Sequence, residues 1–154
     1  MSCKNRAMEY LVVLIAILVL AGSISIAIPS KASRKISKLR MEAKLLGFKI
    51  LSTLYGENKF KNNNSNSVIY QIKNLTRIKE AHFIRDNDQL ILYSPVKLKF
   101  SDNFELINKK LNGVSNSIEE IIFSNTSISF LWKELEGLDE LKIILIKLGE
   151  LKNL

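Results

Sequence analysis

The sequence is poor in the residues that build most metal and catalytic sites, because its 154 residues include one cysteine and one histidine. A disulfide needs two thiols, so the single Cys3 excludes a disulfide within the chain. His82 stands beside Phe83 in a predicted strand, far in sequence from Cys3. We therefore expect His82 to be structural, and we expect neither a metal site nor a catalytic triad.

Glycine is also scarce, and the six glycines form no Gly-rich phosphate loop. Asp86-Asn87-Asp88 has the side chains of a calcium site but lacks the glycine and glutamate of an EF-hand, so a solvated turn is predicted. The pairs Glu119-Glu120 and Asp139-Glu140 are interpreted as exposed charges at strand ends and not as an acid/base couple. The sequence thus predicts no enzyme and no cofactor.

Positive charge is abundant but confined to one segment. The net charge is +8, of which +6 lies in residues 31–55, whereas the final 99 residues together carry only +1. The basic side chains expected to contact lipid headgroups are Lys31, Arg34, Lys35, Lys38 and Arg40. A nucleic-acid-binding domain would carry its basic excess on its folded part. The distribution therefore favours anionic lipid as a partner and argues against nucleic acid.

One long stretch, the 21 residues from Tyr10 to Ser30, has no charged side chain. A helix of that length spans about 30 Å, the thickness of a bilayer's hydrocarbon core. The alternative is a removable secretory signal, with a shorter apolar region and small residues such as Ala21-Gly22-Ser23 after it. Because the apolar pattern resumes at Ile24, we predict a retained transmembrane helix over residues 8–29 and a single-pass protein of the cell membrane.

The residues at the start of this stretch resemble the beginning of a known family. Ala7-Met8-Glu9-Tyr10-Leu11 is similar to the N-termini of archaeal proteins with class III signal peptides, the type IV pilin-like proteins. In that family a prepilin peptidase cuts before the hydrophobic helix, which anchors the subunit and then packs with its copies in a filament. The resemblance implies the peptidase, copies of the chain and other pilin-like subunits as partners, and an extracellular distal domain.

The resemblance leaves two positions open for the cut. The family's usual distance from the glutamate places it between Lys4 and Asn5, whereas the basic-plus-small pair Arg6-Ala7 places it before Met8. Residues 1–7 form a basic leader in either case, or a cytoplasmic tip if no cut occurs.

Glu9 has two interpretations. The resemblance implies that it neutralises the N-terminal ammonium of a neighbouring subunit in the apolar filament core, where an unpaired charge would be costly. From the residues alone, Glu9 lies at the very edge of the apolar run and can reach the headgroups beside Lys4 and Arg6.

Residues 30–56 are predicted to form an amphipathic helix that ends at Gly56. Its apolar residues recur at spacings of three and four, and they are Ile36, Leu39, Ala43, Leu46, Ile50 and Leu54. Packing of this stripe on the distal domain is favoured over a helix that lies on the bilayer with its basic face towards the headgroups, although the two are not exclusive.

The rest of the chain is predicted to be an Asn-rich loop over residues 57–67 and a β-rich soluble domain over residues 68–154. The predicted strands are Val68–Leu75, Ala81–Arg85, Gln89–Ser94, Val96–Phe100, Ile118–Phe123 and Ile128–Leu135, whereas residues 104–111 are ambiguous and Leu141–Leu148 is a strand or a short helix. The sequence therefore predicts an α+β fold. A long N-terminal helix, transmembrane and then amphipathic, packs on a small antiparallel β domain.

Three asparagines have the form of N-glycosylation acceptors, namely Asn63, Asn74 and Asn125. About two such motifs would arise by chance in so Asn-rich a chain, so they favour an external domain only weakly.

Two hypotheses for the function follow. The first is a pilin-like, membrane-anchored surface protein, a subunit of a filament or pseudopilus. The second is a bitopic accessory or binding module that does not polymerise. The basic residues after the apolar run favour a cytoplasmic domain in that case, by the positive-inside rule.

Overall fold

The computed structural model describes residues 3–27, 30–51, 60–62, 67–134 and 137–153. Within these ranges the chain has four α-helices and a six-stranded antiparallel sheet, which confirms the predicted α+β class. It divides into two compact units, Met1–Ser37 and Lys38–Leu154, which we call the N-terminal unit and the sheet unit.

The N-terminal unit begins with helix α1, Cys3–Ala27, followed by helix α2, Lys31–Leu45, whose second half belongs to the sheet unit. From Leu11 to Leu20 every residue of α1 is Leu, Val, Ile or Ala, and each of these side chains is exposed. This ten-residue part of the helix is therefore apolar on all sides rather than along one stripe. In the part of the chain that the structure describes, no helix is both long enough and apolar enough to cross a membrane.

Helix α2 has a defined cap at each end. Ser30 accepts the backbone N–H of Ser33 on its Oγ at 3.1 Å, which is an N-cap bond. At the C-terminus, Gly47 has a φ of +93°, its N–H donates to Lys44 O, and the Phe48 N–H donates to Ala43 O. These two bonds form a Schellman motif, which ends a helix.

The prediction of one helix over residues 30–56 is therefore wrong. Helix α2 ends at Leu45, and strand β1, Lys49–Leu51, follows the turn at Gly47. The apolar spacing continues through Leu46 and Ile50, but glycine adopts the left-handed conformation at position 47 without strain, so the chain turns there. The predicted stop at Gly56 lies outside the described residues.

The sheet has the strand order β1-β2-β6-β5-β3-β4, and each neighbouring pair is antiparallel. The remaining strands are β2 Ser67–Lys73, β3 Ala81–Asp86, β4 Gln89–Ser94, β5 Ile118–Phe123 and β6 Ser127–Lys133. Both predicted hairpins are confirmed, because β3 pairs with β4 and β5 pairs with β6. Asn87 in the first turn has a φ of 52°, which asparagine tolerates better than most residues.

The predicted strand Val96–Phe100 is wrong, because these residues form a 3₁₀-helix. Pro95 is already in an extended conformation before it, and its carbonyl accepts the N–H of Leu98, which turns the chain away from the sheet. The ambiguous residues 104–111 fall in helix α3, Phe104–Asn112, and the last segment is helix α4, Leu138–Glu150. In α4, Leu141, Ile144 and Leu148 are buried at helical spacing.

The main core lies on one face of the sheet. Tyr70, Phe130, Ile121 and Phe83 stand opposite one another across four strands, and their side chains therefore share this face. They belong to one buried cluster with side chains of α3, α4 and α2. Leu39 and Ala43 are the buried residues of α2, so the predicted packing of the apolar stripe on the distal domain is confirmed at these two positions, whereas Ile36 is exposed.

Candidate functional site

The residues predicted to be processed lie at the beginning of α1. Lys4, Asn5, Arg6 and Ala7 are helical, but their side chains are outside the described part of the structure. Met8 and Glu9 are described, and both side chains are exposed. Neither the cut nor the pairing of Glu9 is tested by this arrangement, so both stay predictions.

The predicted headgroup contacts divide into two groups. Lys31, Arg34, Lys35 and Lys38 are exposed on α2. Arg40 instead turns towards the sheet unit, where its Nε and Nη2 donate to the two carboxylate oxygens of Glu134 at 2.8 and 2.7 Å. The structure thus gives Arg40 a bidentate carboxylate partner within the chain, and its contact with lipid headgroups stays a prediction.

The Arg40–Glu134 pair also includes a buried tyrosine. Tyr70 Oη donates to Glu134 Oε1 at 2.6 Å, so one carboxylate joins α2, strand β2 and the end of strand β6. Burial, followed by the hydrogen bond to Glu134, raises the pKa of Tyr70 far above its usual value of 10.0. The hydrogen bond to Glu134 raises the pKa of Arg40 as well.

Replacing Tyr70 with phenylalanine should flatten the alkaline loss of stability. Above pH 10 the unfolded chain releases the phenolic proton whereas the folded chain keeps it, so the folded state binds more protons and its stability falls as the pH rises. The slope from this group reaches about 1.4 kcal/mol per pH unit. Urea unfolding at pH 9 to 11.5 should show a shallower decline in the variant, and equal slopes would contradict the prediction.

Glu120 forms the centre of a second polar cluster, on the opposite face of the sheet. Its carboxylate has no solvent exposure, and its Oε2 forms a hydrogen bond with His82 Nε2 at 2.9 Å. It also accepts the backbone N–H groups of Lys61, at 3.0 Å to each oxygen, and of Asn62. Glu120 therefore ties the described residues 60–62 to the sheet.

Aromatic contacts complete this second cluster. The rings of His82 and Tyr93 meet edge to face with 5.2 Å between centroids, and Lys61 Nζ lies 5.5 Å from the centroid of Tyr93. The expectation of a structural His82 agrees with this environment, because its Nε2 bonds a carboxylate that is itself held by backbone donors.

Glu140 forms a third cluster, at the start of α4. It accepts the hydroxyl groups of Ser115 and Ser117, and the indole N–H of Trp132 at 3.0 Å. Ser117 Oγ also accepts the indole N–H, at 2.7 Å. The carboxylate lies in the first turn of its helix, where the exposed backbone N–H groups favour a negative charge.

The prediction that Glu119, Glu120 and Glu140 are exposed is wrong, because all three are buried. Glu119 accepts a hydrogen bond from Ser67 at 3.0 Å and pairs with Lys133 at 2.9 Å. A register shift in β5 between Ile118 and Glu120 interrupts the alternation of side chains, which accounts for the burial of two consecutive glutamates. Only Asp139 is exposed as predicted.

Arg85 holds the segment before β5 through carbonyl oxygens. It donates to Ile118 O at 2.6 Å and to Ser115 O at 2.9 Å. Burial lowers its pKa from the usual 12.5. The guanidinium thus fixes the residues that present both Ser115 and Ser117 to Glu140.

The three predicted glycosylation asparagines have different surroundings. Asn74 Nδ2 donates to Ile78 O at 2.8 Å and to Ser124 O at 2.6 Å, so this nitrogen is engaged in the folded domain. In the folded domain, the Asn74 side-chain nitrogen thus stabilises a turn and is not free to accept a glycan. Asn125 is exposed in the β5–β6 turn, and Asn63 lies outside the described residues.

These clusters have the properties of structural ties. Every buried side-chain nitrogen and oxygen in the described ranges has a hydrogen-bond partner. Across the same residues, no three side chains of histidine, cysteine, aspartate or glutamate are grouped so that they could hold a metal ion. Comparison with protein-family models, with curated proteins and with solved structures gives no match to this chain.

Proposed function

We propose that this chain is a membrane-anchored, type IV pilin-like surface protein, a subunit of a filament or pseudopilus. The proposal rests mainly on the surface of α1, where the ten residues from Leu11 to Leu20 are all aliphatic and all exposed. A helix that is apolar on every side is favoured in lipid or among other apolar helices rather than in water. The helix of a pilin-like subunit occupies both environments in turn, the membrane before assembly and the filament core afterwards.

The length of the apolar sequence supports the same proposal. The uncharged run extends beyond the side chains that the structure describes and reaches Ser30, and a stretch of 21 residues is long enough to span about 30 Å if it is helical throughout. Exposed Lys31, Arg34 and Lys35 follow at once, where phosphate headgroups would be. In this proposal the sheet unit is the extracellular part, and its buried polar clusters stabilise it without catalysis.

Glu9 is proposed to act in assembly. After a cut before Asn5 or before Met8, the new N-terminal ammonium lies a few residues from this carboxylate in the sequence. Pairing between neighbouring subunits would neutralise both charges in the apolar filament core and would fix the register of the helices.

The second candidate is a bitopic accessory module that does not polymerise. The exposed cations Lys31, Arg34, Lys35 and Lys38 favour it, because a basic cluster directly after an apolar helix is typical of the cytoplasmic side. The two candidates differ in processing and in the side of the membrane that holds the sheet unit.

The mature N-terminus provides the test. Mass spectrometry of the chain isolated from its native host should find a protein that begins at Asn5 or at Met8. Protease added to intact cells should then digest the sheet unit. An intact Met1 would overturn the pilin-like proposal, and a sheet unit that is digested only after cell lysis would place it in the cytoplasm, as the second candidate requires.

A further inference from the structure

The second half of α2 has two faces with different surroundings. Its inner face is buried in the sheet unit through Leu39 and Ala43. The outer face carries Lys38, Met41 and Leu45, which are spaced three and four residues apart and therefore form one stripe on the helix. We call these three residues the outer stripe.

The outer stripe combines apolar side chains with a cation. Met41 is 59% exposed and Leu45 is 82% exposed, on a helix whose other face is already buried. The Lys38 side chain is 74% exposed, and Lys44 is exposed next to Leu45. The same spacing continued towards the N-terminus falls on Arg34 and Lys31.

Apolar side chains flanked by exposed cations are complementary to the surface of an anionic bilayer. In that setting the aliphatic groups enter the boundary between headgroups and acyl chains, while the ammonium groups contact phosphate. The position in the chain agrees, because α2 begins one residue after the uncharged run ends at Ser30. Glu42 is the single carboxylate of α2, and it is already near Lys38 at 3.8 Å.

We propose that the outer stripe is a membrane-surface contact, in which Met41 and Leu45 insert between anionic lipids while Leu39 and Ala43 hold the sheet unit on the opposite side of the helix. This inference rests on the proposed anchoring by α1. In this proposal the outer stripe of α2 faces lipid, while the buried residues of the same helix face the core of the sheet unit.

The test uses the full-length chain in vesicles, with the native thiol removed by Cys3→Ser. A polarity-sensitive fluorophore is attached at Leu45→Cys, or at Ile146→Cys as the control, because Ile146 is an exposed aliphatic residue of α4 and is not on the stripe. Vesicles with anionic phosphatidylglycerol and with a headgroup-level lipid quencher should quench the label at position 45 but not the label at position 146.

Charge should govern this contact. Lys38→Gln should lower the ratio of lipid-contacting to water-exposed label at position 45 about fivefold, because each cation near an anionic surface contributes on the order of 1 kcal/mol. The matched change Lys142→Gln on α4 should leave the ratio unchanged.

The outcomes separate the two proposals. If the chain does not float with vesicles at all, the proposed anchoring is wrong. If the chain floats but the label at position 45 stays in water in anionic vesicles, the anchoring stands and the outer stripe is not a membrane contact. Equal quenching in purely zwitterionic vesicles would also overturn the inference, because it would show that the cations play no part.

Discussion

Replacing Glu120 with alanine is expected to lower the free energy of unfolding of the sheet unit by about 3–5 kcal/mol, the range for removal of one partner from a buried pair. The carboxylate has no exposure to solvent, and it accepts from His82 and from the backbone of Lys61 and Asn62. Its loss leaves three donors without their acceptor, of which the His82 ring is buried, and a buried donor without a partner is costly.

Two readouts check this prediction. Urea unfolding of the full-length chain in detergent gives the change in free energy, and hydrogen exchange at the amides of Lys61 and Asn62 reports the tie directly. Both amides should exchange faster in Glu120→Ala. Glu120→Gln keeps one acceptor oxygen and should cost less than the alanine change.

The control is Glu105→Ala, because Glu105 is an exposed glutamate in the first turn of α3. Its loss should lower the free energy of unfolding by about 0.3–1 kcal/mol, the contribution of an exposed negative charge at a helix N-terminus. If Glu120→Ala costs no more than this control, the assignment of residues 60–62 to a carboxylate tie is wrong.

Local signals in the sequence predicted much of the fold. The strands of both hairpins follow from short apolar-rich segments on either side of polar turns, as at Asn87 and at Ser124–Ser127. The long apolar run predicted a helix, and α1 contains most of that run. That this helix crosses a membrane stays a prediction. The end of α2 shows the limit of periodicity. Leu46 and Ile50 continue the helical spacing, but one positive φ at Gly47 ends the helix.

The polar clusters could not be predicted, because each joins residues that are distant in the sequence. Arg40 and Glu134 are 94 residues apart, and His82 and Glu120 are 38 residues apart. Partners at such separations become neighbours only through the strand order. One signal was present in the sequence, since Glu119 and Glu120 lie inside the segment Ile118–Phe123, with apolar residues on both sides of them.

Those clusters matter for the proposed function, because the sheet unit buries several carboxylates that each join separate elements. Glu134 connects α2 to the sheet through Arg40 and Tyr70. The bidentate contact therefore holds the second half of α2 in the sheet unit together with the apolar packing of Leu39 and Ala43. Helix α2 is thus joined to the sheet unit by both charge and packing.

Replacing Glu140 with alanine is the second large effect that we expect, a loss of about 2–4 kcal/mol from the free energy of unfolding. The carboxylate accepts from Ser115, Ser117 and the indole of Trp132, so three elements meet on it: the segment before β5, strand β6 and helix α4. It also places a negative charge at the N-terminus of α4. Its removal takes away both contributions together.

Trp132 makes this loss directly visible, because it is the single tryptophan of the chain and is fully buried. Its fluorescence should shift to the red in Glu140→Ala if the indole N–H gains water in place of the carboxylate. Asp139→Ala is the matched control, since its side chain is 94% exposed in the same helical turn and lends the same charge to the helix N-terminus. That change should cost about 0.3–1 kcal/mol and leave the emission unchanged. If both variants lose equal stability, Glu140 acts only through the helix dipole, and its hydrogen bonds to the two serines and the indole contribute nothing to the stability of the sheet unit.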